Sequence, residues 1–425
     1  MKKYLPVLLM ITCVLSTSAE VFAQATIPPG TQPPLQQPRR GDGFGISIDL
    51  GSLVRAVSGV EIPKYESPDI SNQPQYEPRQ VIVAWEPANE ALASAAIQAS
   101  GGNTLALSNL PNIGLNIAVL EFASQPQADA LLASLQRNQA IISSRHALAY
   151  PMQNSAAPSN ARQFAHEMIK APPNPQRLQS GISVGIIDTE INNQAALASA
   201  NFKAKRFIAD NEKASSNDHG SAVAAIIAGS GLGFEGLAQG AVLRSAGVMK
   251  EIAPGINATN TLLVAQALDW MLAEKVQVIN MSLGAADDQV LAAVIKRGLA
   301  AGATIVAAAG NGGPQAAPSF PAAYPGVIGV TALDAKRSLY TRANRGNYIA
   351  IAAPGVDVWV PVSAEAGKGK YMSGTSFAAP FVAGAVARSI ATQPAGTPVL
   401  INLCAKAVNL NAASQEIGCG LLQYQ

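Results

Sequence analysis

VQVINMSLGAADDQVLAAVIKRGLAAGATIVAAAGN, residues 276–311, is the stretch on which the fold turns. Residues 276–281 form a short apolar run, 289–301 carry apolar residues at helical spacing, and 304–309 are apolar again. Two buried strands joined by a helix pair in parallel, because the helix returns the chain to the edge where the first strand began. The same alternation extends outward. Residues 183–187 and 242–248 read as strands, and 219–228 and 260–274 as Ala-rich helices. The expected class is α/β, a doubly wound and mostly parallel sheet with helices on both faces. Ligands in such sheets bind beyond the carboxyl ends of the strands. Three expected strand ends carry polar groups: Asp188, the segment from Asn280 to Gly284, and Asn311.

Composition narrows the field. A formal net charge of +2 over 425 residues, with no Lys/Arg cluster beyond the first residues and Arg39-Arg40, leaves no electrostatic footprint for nucleic acid. Hydrophobic residues make up 48% and charged residues 13%, which suits a large core built from Ala, Val, Ile and Leu. Lys2 and Lys3 precede an apolar stretch from about Leu5 to Leu15, with small residues at Ala23 and Ala25. That pattern reads as a cleaved export signal over residues 1–25, with no stable membrane span after its removal. Residues 26–78 are a Pro-rich linker followed by a segment without clear periodicity. Of the three cysteines, Cys404 and Cys419 would remain after export, and a disulfide between them is expected. The location implied is secreted, periplasmic or extracellular.

Between these segments, residues 79–153 follow the order β-α-β-β-α-β: strands at 80–85, 104–107, 115–122 and 140–150, helices at 90–99 and 127–137. That order is the split βαβ, ferredoxin-like arrangement. A Pro/Asn/Ser-rich connector at 154–177 then leads to the α/β unit at 178–425.

The chain has three histidines. His146 falls in the small N-terminal unit and His166 in the connector, while His219 sits where a loop enters a helix, flanked by Asp218 and Gly220. A helix N-terminus disfavours the imidazolium and keeps a histidine available as a base, although a solvated histidine at a polar helix start would look the same. Ser376 lies in Ser373-Gly374-Thr375-Ser376-Phe377-Ala378-Ala379-Pro380. Gly374 permits a tight turn and Pro380 is acceptable near a helix's first turn. Ser376 would sit at a helix start beside backbone N–H groups, either as a nucleophile next to an oxyanion site or as the N-cap of a core helix.

Taken together, Ile186-Ile187-Asp188-Thr189, His219-Gly220-Ser221-Ala222-Val223-Ala224, Asn280-Met281-Ser282-Leu283-Gly284, Ala308-Ala309-Gly310-Asn311 and Gly374-Thr375-Ser376-Phe377-Ala378-Ala379-Pro380 resemble the subtilase family, in the family's order. The order Asp, His, Ser is that of subtilisin. The resemblance implies a serine endopeptidase with Ser376 as nucleophile, His219 as general base and acid, and Asp188 orienting the histidine. Asn311 would supply the oxyanion donor. Ser282, Leu283 and Gly284 would pair with substrate backbone, and Ala309 and Gly310 would line the pocket for the residue before the scissile bond. Protein or peptide substrates follow, and no cofactor or metal is implied. The small N-terminal unit resembles the family's propeptide, an intramolecular inhibitor removed by self-cleavage. Because Pro151 follows Tyr150, cleavage is expected between Pro151 and Pro175.

Two positions depart from the pattern. Glu190 stands where the family carries Gly, which puts the geometry of the Asp188 loop in question. Gln239 replaces a Pro. No Asn/Asp-rich insertion interrupts the His219 helix, so no tight calcium site is expected there. The alternative to an active enzyme is a catalytically silent subtilase-fold module that binds peptides. A lipase-type hydrolase would need Gly-x-Ser-x-Gly and a histidine after the serine, and no histidine follows Ser376.

Overall fold

Val81 to Trp85 are buried one after another, and the pleat explains why. Successive side chains leave a strand on opposite faces, so an unbroken apolar run needs cover on both sides. Val81, Val83 and Trp85 pack on one face into a small core of their own, while Ile82 and Ala84 point into one of the two large cores. The computed structural model describes residues 73–424 except 137, 152–153, 156–163, 180, 193–194, 232–233, 363–368 and 395. The expected signal segment, most of residues 26–78 and part of the connector therefore lie outside the described residues.

The N-terminal elements are β1 (Tyr76–Trp85), α1 (Glu90–Ser100), β2 (Asn103–Leu110), β3 (Leu115–Glu121), α2 (Gln125–Leu135) and β4 (Ile141–Pro151). Their strands lie in the order β2-β3-β1-β4, each neighbouring pair antiparallel. Ser124 begins α2 with a capping box completed by Gln127. Ala93 of α1 and Ala128, Leu131 and Leu135 of α2 cover the face that carries Val81, Val83 and Trp85.

Next come β5 (Asn154–Ser155), α3 (Phe164–Met168), β6 (Ser183–Asp188), β7 (Asn201–Arg206), α4 (Asp218–Ala228), β8 (Val242–Gly247), β9 (Lys250–Ala253) and β10 (Ile256–Asn260). They are followed by α5 (Thr261–Ala273), β11 (Val278–Met281), β12 (Leu283–Ala285), α6 (Gln289–Ala300), β13 (Thr304–Ala308), β14 (Ile328–Leu333) and β15 (Ile349–Pro354). The chain closes with β16 (Val358–Pro361), β17 (Gly369–Ser373), α7 (Thr375–Thr392), α8 (Val399–Lys406) and α9 (Ser414–Ile417). Seven strands form one sheet in the order β15-β14-β13-β11-β6-β8-β7, and every pair in it is parallel.

Alternation along these strands feeds two cores. Val184, Ile186, Val278, Val306 and Ala308 join α4 and α7 on one face. Ile187, Ile279, Met281, Ile305 and Ala307 join α5 and α6 on the other. The second core is also the one that receives Ile82, Ala84, Ile117 and Val119, so the N-terminal sheet docks on α5 and α6.

The segment expected as a linker at 154–177 behaves differently in its second half. Phe164, Ala165, Met168 and Ile169 are buried in the core with α4 and α7, and the His166 ring meets Phe234 and Phe381 edge-on. Apolar residues spaced among the prolines anchor it there. Cys404 and Cys419 form the expected disulfide, with Cα atoms 5.5 Å apart. Closing a loop of this length stabilises by roughly 3 kcal/mol in the chain-entropy model. Among the described residues no helix is long and apolar enough to cross a membrane.

Candidate active site

The strands β13, β11 and β6 are neighbours in the parallel sheet, and their carboxyl ends deliver the predicted polar residues to one edge. Asp188 is the last residue of β6 and is fully buried. Its Oδ1 accepts the Thr189 backbone N–H at 2.6 Å and lies 2.7 Å from His219 Nδ1. With a carboxylate on Nδ1, that nitrogen carries the proton and leaves Nε2 as the basic lone pair. His219 is the second residue of α4, 2% exposed, with its ring 5.3 Å from that of Phe377. The close approach of α4 to the Asp188 loop requires Gly220. A Cβ there would stand 2.5 Å from the Thr189 carbonyl oxygen, and Gly220 N–H donates to Thr189 Oγ1 at 2.8 Å.

Gly374, at φ 146, turns the chain out of β17 and into α7, which starts at Thr375. Pro380 therefore falls in the second turn rather than the first. Its missing N–H would have bonded to the Ser376 carbonyl four residues back, and Ser282 Oγ donates to that carbonyl instead, at 2.8 Å. Ser282 Oγ also accepts from Asn280 Nδ2 at 2.9 Å. Ser376 Oγ donates to the Ser282 carbonyl at 3.0 Å.

Asn311 is held by its oxygen. Oδ1 accepts from the Thr375 N–H at 3.1 Å and from Thr375 Oγ1 at 2.9 Å, which turns the amide nitrogen the other way. Gly310 N–H donates to Thr375 Oγ1 at 3.1 Å, and the Ala309 carbonyl accepts from Tyr348 Oη at 2.8 Å. Leu283 and Gly284 lie in β12, opposite Pro151 and Tyr150 of β4.

Four buried atoms along this edge have no hydrogen-bond partner among the described residues: Asp188 Oδ2, His219 Nε2, Asn280 Oδ1 and Asn311 Nδ2. Buried polar groups are satisfied almost everywhere in folded proteins, so a local concentration of exceptions marks a place built to meet something else. A donor on Asn311, a base on His219 and a hydroxyl on Ser376 are the parts of an acyl-transfer site.

Glu190 does not disturb this arrangement. It adopts an ordinary negative φ, so its position demands no glycine. Its side chain lies against the bare Cα of Gly247 and pairs with Arg206 at 3.5 Å. Gln239 bonds through its side chain to Glu235, and its carbonyl accepts the Leu178 N–H at 2.7 Å.

Sequence reading missed what fills the cleft. β4 lies between β10 and β12 as an added antiparallel strand, with Thr259 opposite Ala149, Asn260 opposite Leu148 and Ala285 opposite Ala149. The small unit and the site are thus joined through one continuous strand. Residues 74 and 75 contribute as well, Pro74 accepting from Tyr150 Oη at 2.5 Å and Gln75 from the Leu148 N–H at 2.8 Å.

Comparison with known proteins agrees with this architecture. The subtilase family model matches residues 179–420. A minor extracellular protease of Bacillus subtilis, Epr, is 30% identical over 219 residues, 49% of this chain and 33% of that protein. A thermostable alkaline protease of Halalkalibacterium halodurans is 33% identical over 223 residues, 51% of this chain and 59% of the other. The chain thus matches a third to three-fifths of the length of these relatives. Fervidolysin from Fervidobacterium pennivorans, a keratinolytic enzyme related to subtilisin, superposes with a TM-score of 0.67 at 20% identity. The superposition covers 85% of this chain and 63% of fervidolysin. The chain belongs to the subtilase family.

Proposed function

We propose that the chain is an exported serine endopeptidase made as a zymogen, with Asp188, His219 and Ser376 as its catalytic triad. The observation that carries this reading is the buried Asp188–His219 contact of 2.7 Å, which leaves His219 Nε2 unpartnered beside the helix start that bears Ser376. Rotation of Ser376 about χ1 moves its hydroxyl proton from the Ser282 carbonyl to His219 Nε2. Oγ then attacks the substrate carbonyl, and His219 passes the proton to the leaving amine. Water hydrolyses the acyl-enzyme by the reverse proton route. Asn311 Nδ2 donates to the developing oxyanion, its orientation fixed in advance by the two bonds to Oδ1, so little reorganisation is needed at the moment of reaction.

Substrate binds as an extended strand. The pairing of β4 with β12 supports Ser282, Leu283 and Gly284 as the backbone partners, and Ala309 and Gly310 form the wall beside Asn311. The same pairing supports the N-terminal unit as a ferredoxin-like propeptide that fills the cleft and inhibits the enzyme until it is removed. The basic and apolar N-terminus supports export, and the Cys404–Cys419 disulfide suits an oxidising compartment.

Hydrolysis of denatured casein by the matured protein, compared with Ser376→Ala, tests the activity. Release of acid-soluble peptides by the wild type alone is expected. A folded wild type that binds casein without hydrolysing it would instead establish a silent peptide-binding module.

A further inference from the structure

Two strand pairings with independent registers approach Ser376 from opposite directions. We propose that the Met152–Gln153 peptide bond is the chain's own processing site, a reading that rests on the catalytic assignment above. On one side, β4 runs antiparallel to β12 with Ala149 opposite Ala285, Tyr150 opposite Gly284 and Pro151 opposite Leu283. Continuing that register by one residue assigns Ser282 to Met152. Ser282 is the residue whose carbonyl accepts Ser376 Oγ at 3.0 Å. On the other side, β5 runs antiparallel to β17 with Ser155 opposite Met372 and Asn154 opposite Ser373. One step back along this register assigns Gly374 to Gln153, and Gly374 is the turn residue that opens the helix carrying Ser376. The two ladders meet at one bond, with the nucleophile at their junction.

Neighbouring bonds fit less well. Tyr150–Pro151 lies inside the β4 pairing and would have to release a proline nitrogen. Every bond beyond Ser155 lies past the β5 pairing. In the reaction assigned to Met152–Gln153, Ser376 Oγ bonds to the Met152 carbonyl carbon and the C–N bond to Gln153 breaks. The proton from Oγ reaches the new Gln153 amine through His219. Water then attacks the Met152 ester and releases its carboxylate, regenerating Ser376. The β4 strand retains its pairing with β10 and β12 after the cut, so the N-terminal unit stays in the cleft as a bound product.

Peptide mapping of both new termini by mass spectrometry, on full-length protein refolded as wild type, Ser376→Ala, Gln153→Pro and Ser159→Pro, tests the assignment. Wild type should yield one fragment ending at Met152 and one beginning at Gln153, the latter partly cyclised with loss of ammonia. Ser376→Ala should stay intact. Gln153→Pro should lose processing at this bond, whereas Ser159→Pro should be processed as fast as wild type. Activity on a fluorogenic peptide is read separately after limited trypsin digestion, which opens the chain at Arg137, Arg145 or Arg162 whether or not it cuts itself. Peptidase activity together with a self-cut elsewhere, or with no self-cut, would overturn the assignment and leave the catalytic reading standing. A folded wild type with neither self-cleavage nor activity after trypsin would remove both.

Discussion

Ser282 and Ser376 hold each other by two hydrogen bonds, Ser282 Oγ donating to the Ser376 carbonyl at 2.8 Å and Ser376 Oγ to the Ser282 carbonyl at 3.0 Å. The first bond depends on Pro380, which sits four residues after Ser376 and has no N–H to offer that carbonyl. Removing the Ser282 hydroxyl leaves a buried carbonyl without a donor, which costs about 1–3 kcal/mol. Pro380→Ala restores a backbone donor at the same carbonyl. A double-mutant cycle of Ser282→Ala and Pro380→Ala, followed by urea unfolding in the Ser376→Ala background, should therefore show that the second change offsets part of the first. A coupling of about 0.5–1.5 kcal/mol is expected, and strict additivity would sever the link between the two residues.

Asn311→Ala should keep the fold and lose turnover. Asn311 is bound to Thr375 through Oδ1 only, and its buried Nδ2 is the free donor. The corresponding donor in subtilisin is worth about 10²–10³ in kcat, a magnitude taken here from that enzyme. Steady-state kinetics on a peptide substrate should show that loss in kcat with KM little changed. An equal loss carried by KM would assign Asn311 to ground-state binding.

Much of this site was legible because its chemistry resides in contiguous motifs at strand ends. Asp188 at the end of β6, His219 at the start of α4 and Ser376 at the start of α7 each lie beside residues that fix the local backbone. The pairing of β4 with β10 and β12 was not legible, since register between segments more than 100 residues apart leaves no local pattern. One signal was available: the unbroken apolar run from Val81 to Trp85 implies a second covered face on the N-terminal sheet. The burial of residues 164–169 was hidden by the surrounding prolines. Glu190 looked disruptive because its alternative exit, across Gly247 to Arg206, exists only in three dimensions.

His146, in β4, makes stability depend on acid. It is 3% exposed, with Nδ1 2.9 Å from Gln80 Oε1. Burial pushes its pKa down from 6.5 to about 4, with Asn260 opposing the shift and the Lys250 charge adding to it. Between those values the unfolded chain binds a proton that the folded chain does not. Stability therefore rises with pH across that window and is lost as pH falls toward 4. The full effect is about 3 kcal/mol. Thermal unfolding of the Ser376→Ala chain at pH 7 and pH 4 should show a drop that shrinks by about that amount in His146→Gln. An unchanged drop would place the acid sensitivity elsewhere.

Asp269 clamps the N-terminal unit to α5. Its carboxylate accepts from the Asn112 N–H at 2.7 Å, the Ile113 N–H at 2.9 Å and Asn112 Nδ2 at 3.0 Å. Hydrogen bonds to a charged acceptor contribute about 1.5–3 kcal/mol, so Asp269→Ala should weaken retention of the nicked N-terminal unit by about tenfold to a hundredfold. Activity recovered on serial dilution of the processed protein measures this. Recovery at the wild-type concentration would show that the apolar face with Ile82 and Ala84 carries the docking alone.

The most direct test of the account is covalent labelling of the matured protein with a serine-directed sulfonyl fluoride, followed by peptide mapping. The account predicts one adduct, on Ser376, formed in step with loss of peptidase activity and absent in His219→Ala. Inactivation with the adduct on another residue, or undiminished peptidase activity in Ser376→Ala, would contradict it.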